Sequence, residues 1–148
     1  MQERRPQLGL ALLNTNDCGG AVAAFKAVLR LRVNEPEVYY LIGWCDNGLG
    51  QYADAVEALK KALVGYAYKS APAASELGYA YRQLQNYPEA KTAYQRAVAI
   101  DAKFAPAHHG LALTDLALGD KAAAQRELQI LKGLDKVWAD KLAAELTK

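Results

Sequence analysis

His108 and His109 are the chain's two histidines, and they stand side by side. Neighbouring helical residues point about 100° apart, so one helix cannot aim both rings at one metal ion. Two ligands on a single helix need i, i+4 spacing. The two rings are therefore read as having separate roles. Asp46 and Asp115 could form an acid–base pair, but they fall on different predicted helix hairpins. An inter-helix hydrogen bond or a solvated face suits them better. Cys18 and Cys45 show neither metal-ligand nor redox spacing. Cys45 lies in an apolar stretch and reads as a small buried hydrophobe. Cys18, just before Gly19-Gly20, reads as a turn residue, and because the two thiols fall on different elements no disulfide is expected. The chain has no glycine-rich phosphate loop. These residues point to no catalytic site, no metal and no cofactor.

The elements that carry them follow from composition and period. Within 148 residues, 52% are hydrophobic and 23% charged, the balance of an ordinary globular protein with room for one core. Abundant alanine with little valine and threonine favours helix over strand. A net charge of +2 gives no lead toward nucleic acid or an anionic membrane surface. No apolar run approaches the length that spans a bilayer, so no membrane insertion is expected. The polar start Met1-Gln2-Glu3-Arg4-Arg5-Pro6 and an apolar stretch ending at Asn14 make a poor signal peptide. The compartment stays open: cytoplasmic, or periplasmic if a leader has been removed.

Laid on itself, the chain repeats. A large aliphatic residue followed by a small one recurs at Leu8-Gly9, Ile42-Gly43, Leu77-Gly78 and Leu111-Ala112, with spacings of 34, 35 and 34. Ala21, Ala55, Ala90 and Ala124 share those spacings, as do Phe25, Leu59, Tyr94 and Leu128, and Val28, Ala62, Ala97 and Leu131. Several columns sharing one irregular period mark a repeat array. Each unit is helical and breaks in two, at Asn16-Asp17, Gly50-Gln51, Gln85-Asn86 and Gly119-Asp120. Every break pairs a residue that tolerates left-handed backbone, or ends a helix, with a polar residue able to cap the next helix. Pro36, Pro72 and Pro106 open first helices, and Pro88 falls in the first turn of a second one, where a missing N–H costs little. A lone two-helix hairpin cannot bury its apolar stripe, whereas stacked hairpins share a continuous core.

These columns resemble the tetratricopeptide repeat family over nearly the whole chain. The third unit is nearest the family pattern, with Leu77-Gly78, Tyr81, Leu84, Asn86-Tyr87-Pro88-Glu89-Ala90, Tyr94, Ala97 and Ile100-Asp101. The resemblance implies an all-α, right-handed superhelical solenoid of four helix-turn-helix repeats plus a C-terminal capping helix. As a single array over 1–148, its repeats cover about 2–35, 36–70, 71–104 and 105–138, with the cap at about 135–147. The family's proline closing each second helix is replaced by Val33, Ala67, Ala102 and Lys136, and its first-helix tyrosine by Asp46 and Asp115. Leu134, Val137, Trp138, Leu142 and Leu146 form one side of the last segment, expected to cover the fourth unit. The pentatricopeptide family has a similar period, but it matches less well and the charge is low for an RNA binder. No nucleic-acid partner is expected.

The resemblance further implies a non-enzymatic scaffold that holds a protein or peptide in a concave groove lined by the first helices. Its groove positions fall here on Leu10, Leu13 and Asn14, on Tyr40, Trp44 and Asn47, on Ser75, Tyr79, Arg82 and Gln83, and on His109, Leu113 and Leu116. By the same register His108 takes the place of a core aromatic, and His109 is left a hydrogen-bonding role toward the groove. Tyr40, Trp44 and Asn47 share one helical face, which is not the one that carries Ile42 and Gly43 into the core. The family's cationic clamp for acidic chaperone tails is absent: its positions hold Pro6, Leu10, Leu41, Pro72 and Glu76, or one unit on, Tyr40, Trp44, Glu76, Pro106 and Gly110. An aromatic groove with polar neighbours would take an extended or helical segment. The same aromatics would equally serve packing between helices. The alternative function is a structural assembly subunit, or a repeat segment of a larger protein, that self-associates into a homo-oligomer.

Overall fold

The computed structural model describes residues 9–10, 12–13, 16–31 and 35–148. Pro6, Leu8, Asn14 and Val33, and much of the first helix of the first unit, lie outside the described residues. The described residues are all-helical, with no strand. They divide into two compact units, Met1–Lys69 and Ser70–Lys148. The first holds α1 (Cys18–Leu29), α2 (Pro36–Gly48) and α3 (Tyr52–Gly65). The second holds α4 (Ala71–Gln83), α5 (Tyr87–Ile100), α6 (Ala105–Ala117), α7 (Lys121–Leu134) and α8 (Lys136–Leu146). No described helix is long and apolar enough to cross a membrane.

One turn, built four times, separates the paired helices. Asn16, Gly50, Gln85 and Gly119 each have a φ between 61° and 85°. In each case the next residue's N–H reaches back five positions, to the carbonyls of Leu12, Asp46, Tyr81 and Asp115 at 2.8–2.9 Å. This closes the preceding helix with a left-handed residue and satisfies carbonyls that would otherwise be orphaned. The capping expectation holds at two of the four turns. Asp17 and Asp120 accept from the N–H of Gly20 and Ala123 at 2.9 and 3.0 Å, whereas Gln51 and Asn86 make no such bond. Asp17 also corrects the placement of Cys18, which opens α1 instead of sitting in a turn.

The repeated small and large columns meet face to face within the hairpins. A Cβ atom at Gly43 would overlap the isobutyl group of Leu59, and one at Gly9 would overlap the ring of Phe25. In the second unit Tyr94 lies against two glycines: a Cβ at Gly78 would come within 2.9 Å of its ring, and one at Gly110 would overlap it. Phe25, Leu59 and Tyr94 are 0%, 0% and 2% exposed, so these contacts are the centres of the packing. In the second unit α8 packs on α6 and α7. Ala139 and Leu142 join Ala105, Ala112, Ala124 and Leu131 in one cluster, which Trp138 and Leu146 flank. Val137 departs from the expected apolar side, with 62% of its surface exposed.

Gly43→Leu and Gly110→Ala each force a side chain into occupied space. Both should lower stability by about 1–3 kcal/mol, read as a fall in the thermal midpoint; an unchanged midpoint would refute the contact. Gln85→Gly should act in the opposite direction. It relieves a left-handed non-glycine residue and is expected to raise stability by roughly 1 kcal/mol in urea unfolding, while a fall would show that the side chain contributes more than the backbone loses.

Candidate functional site

On α2, in the first unit, Trp44 is 44% exposed although its neighbours Ile42, Gly43 and Cys45 are buried. Tyr40, one turn earlier on the same face, is half-buried, and Asn47 is buried at 5% exposure. The neighbouring Tyr39 takes the Lys61 ammonium over its ring at 5.6 Å. The first unit therefore presents one exposed indole with a tyrosine beside it, and Asn47 lies beneath rather than on the surface. Leu10 is exposed and Leu13 half-buried.

The second unit brings more of the expected residues together. The Arg82 guanidinium lies over the Tyr79 ring at 5.4 Å, and its charge acts on the buried Tyr94 phenol. Burial pushes the Tyr94 phenol up, and Arg82 partly offsets that. The His109 ring meets Trp138 at a tilt, ring centres 5.0 Å apart and planes at 58°, and the Lys141 ammonium sits 4.4 Å over the same indole. Burial lowers the His109 pKa, and the charges of Arg82 and Lys141 lower it further, which keeps the ring neutral at pH 7. Glu145, held acidic mainly by Lys148, is also within electrostatic reach of His109 and Arg82. Gln83 is half-buried, Ser75 is buried, and Leu113 and Leu116 pack onto the cluster under α8.

Two family models match the sequence, one described as TPR repeat over residues 78–119 and one as tetratricopeptide repeat over residues 36–63. Both matched stretches are tetratricopeptide repeats. Among solved structures, the crystal structure of MamA aligns with TM-score 0.85 at 27% identity, covering 94% of this chain and 82% of its own. MamA from Desulfovibrio magneticus RS-1, residue 41 to the end, aligns with TM-score 0.86 at 27% identity, covering 93% and 77%. The TPR protein TTC0263 of Thermus thermophilus shares the fold at 22% identity, TM-score 0.80, covering 99% and 81%. Among curated proteins no sequence match was found.

Within this tetratricopeptide fold His108 is buried as expected, but it also makes the hydrogen bonds expected of His109. His108 is 3% exposed and hydrogen-bonded at both nitrogens, Nδ1 to Glu127 Oε2 at 2.6 Å and Nε2 to the Ala102 carbonyl at 2.7 Å. Both partners are acceptors, so either an imidazolium faces a carboxylate or Glu127 carries the shared proton. His109 makes the ring contact instead. Lys141 and Glu145 are the residues that sequence reasoning misses, and Trp138 it assigns to packing. Their one signal is that single tryptophan of the last segment.

Asp46 and Asp115, which replace the repeat's first-helix tyrosine, are both buried, at 2% and 3% exposure. Asp115 meets the Lys91 ammonium across α5 and α6 at 3.0 Å. Asp46 lines a cavity of about 280 Å³ with Asp54, Glu57, Lys26 and Lys61. Burial pushes its carboxyl up from 3.8 to about 6, against the pull of Lys26 and with a smaller push from Asp54. The folded state thus binds this proton more tightly than the unfolded chain, so its contribution to stability falls as pH rises from about 4 to 6 and stays low above that. Asp46→Asn is expected to stabilise the protein on the order of 1–3 kcal/mol at pH 7.5 and to make little difference at pH 4. Urea unfolding at both pH values checks this; an equal gap at the two would remove the carboxylate's charge as the cause.

Proposed function

We propose that this protein is a non-enzymatic scaffold that holds a partner protein segment against its first-helix surfaces. The coarse part of that reading comes with the family, which typically provides scaffolds for protein contacts. The finer part rests mainly on Trp44. A tryptophan 44% exposed in the middle of a helix, beside buried neighbours, leaves a large apolar surface in water. Aromatic residues and arginine are the side chains that most often anchor interfaces. The proposed surfaces are Tyr40 and Trp44 on α2 of the first unit, and Tyr79, Arg82 and Gln83 on α4 with His109 on α6 of the second. Asn47 and Leu113 support them from beneath, each in its own unit, and Trp138 on α8 extends the second. Rings and cations at these positions would favour an extended or helical segment bearing apolar anchors.

The expected outcome is that tagged Trp44→Ala and Tyr79→Ala proteins lose a partner that the wild type captures from host lysate, while circular dichroism and melting stay unchanged. Capture retained by both variants would move the site off these surfaces. Self-association would then become the leading reading, with exposed Ile130, Leu134 and Val137 as its surface.

A further inference from the structure

The sequence set Cys18 and Cys45 apart because they lie on different elements, but packing brings those elements together. Cys18 is the first residue of α1, fixed there by the Asp17 cap. Cys45 lies near the end of α2, fully buried in a cluster with Ala21, Val22, Phe25, Val28, Val38, Ile42 and Ala58. Cys18 packs against that same cluster from its edge, half-buried. Packing against one cluster brings the Cys18 thiol close enough to act on Cys45, and both cysteines are free. No other pair of groups in the chain combines this contact with this chemistry, since these are its two cysteines.

We propose that Cys18 and Cys45 form a reversible disulfide that clasps α1 to α2 when the protein meets a disulfide oxidant such as oxidised glutathione. The reaction proceeds in two exchanges. The Cys18 thiolate, at the accessible edge, attacks one sulfur of the oxidant; a Cys18–glutathione bond forms and one glutathione leaves as its thiolate. The Cys45 thiolate then attacks Cys18 Sγ, closing the protein disulfide and expelling the second glutathione. Two protein thiols lose two electrons and two protons, and one glutathione disulfide becomes two glutathione thiols. The order follows from the surroundings. Burial, the Cys18 thiol and the charge of Asp46 push the Cys45 thiol up to about 12, so Cys45 is a poor first attacker and acts once Cys18 holds the mixed disulfide beside it.

The clasp would tie the two residues through a loop of chain that spans the α1–α2 connection. Cross-linking a loop of this size restricts the unfolded chain and raises the unfolding temperature. It would also fix α1 against the helix that carries Tyr40 and Trp44, without removing any side chain from that surface. The clasp itself does not depend on what those residues bind.

The test incubates the full chain with oxidised glutathione, without denaturant, and reads intact mass, peptide mapping and melting. The expected result is a loss of two hydrogens, a Cys18–Cys45 linked peptide, and a midpoint higher by about 10 °C that dithiothreitol reverses. Cys45→Ser should stop at a glutathione adduct on Cys18, and Cys18→Ser should stay unmodified over the same time. A wild-type protein that accumulates only the Cys18 adduct, cross-links between chains, or remains reduced would overturn the proposal. So would a linked species whose melting midpoint is lower than that of the reduced protein.

Discussion

The hairpins centred on Phe25, Leu59 and Tyr94 are each organised by a close approach that only a missing Cβ allows. Leu59 occupies the volume that a side chain at Gly43 would need, Phe25 the volume at Gly9, and Tyr94 the volume at both Gly78 and Gly110. The large partner is buried in every case, so the glycine sets the helix separation and the large residue fills what that separation leaves. The remaining features of the repeat serve this contact. The left-handed turn residues reverse the chain tightly enough for the second helix to return onto the first. Prolines at the first turns of α2, α4, α5 and α6 begin helices where the N–H is not needed.

Polar groups occupy several positions that the repeat usually gives to aromatics, and each is handled differently. His108 is satisfied at both nitrogens by a carbonyl from the connection before α6 and a carboxylate from α7. Asp115 has the Lys91 ammonium from α5. Asp46 instead lies beside a cavity, with Lys26 as a weaker counter-charge, and its raised pKa is the mark of that incomplete compensation. A buried ion is costly unless its partner and its hydrogen bonds are both present. The first unit accordingly carries a pH-dependent weakness at Asp46.

The fold was legible because its signals are local or periodic. Glycine and alanine columns at a fixed period reported helix approach, and Gly50 and Gly119 reported the turns. Gln85 and Asn16 were readable there only through the period, because neither residue alone demands a positive φ. The site was less legible, since its contacts come from elsewhere in the chain. Nothing at position 108 announces that Glu127, nineteen residues on, completes its hydrogen bonding. The apolar stripe of α8 contained Trp138 and Leu142 together, yet one indole face turns to His109 while Leu142 is wholly buried. Cys18 and Cys45 looked unrelated because sequence separation hides how α1 packs on α2.

Tyr94 joins the two levels in the second unit. Its ring is the packing piece that Gly78 and Gly110 make room for, and its phenol lies within electrostatic reach of Arg82. Arg82 in turn lies over the Tyr79 ring. An arginine on an open helix samples many rotamers, and fixing one of them on binding costs entropy. Here the Tyr79 ring already restricts it, and the same is true of His109, whose ring meets an indole that also carries Lys141. If this is the surface that meets a partner, as proposed, less entropy is lost on binding. On that reading the tight glycine packing of the interior bears directly on recognition.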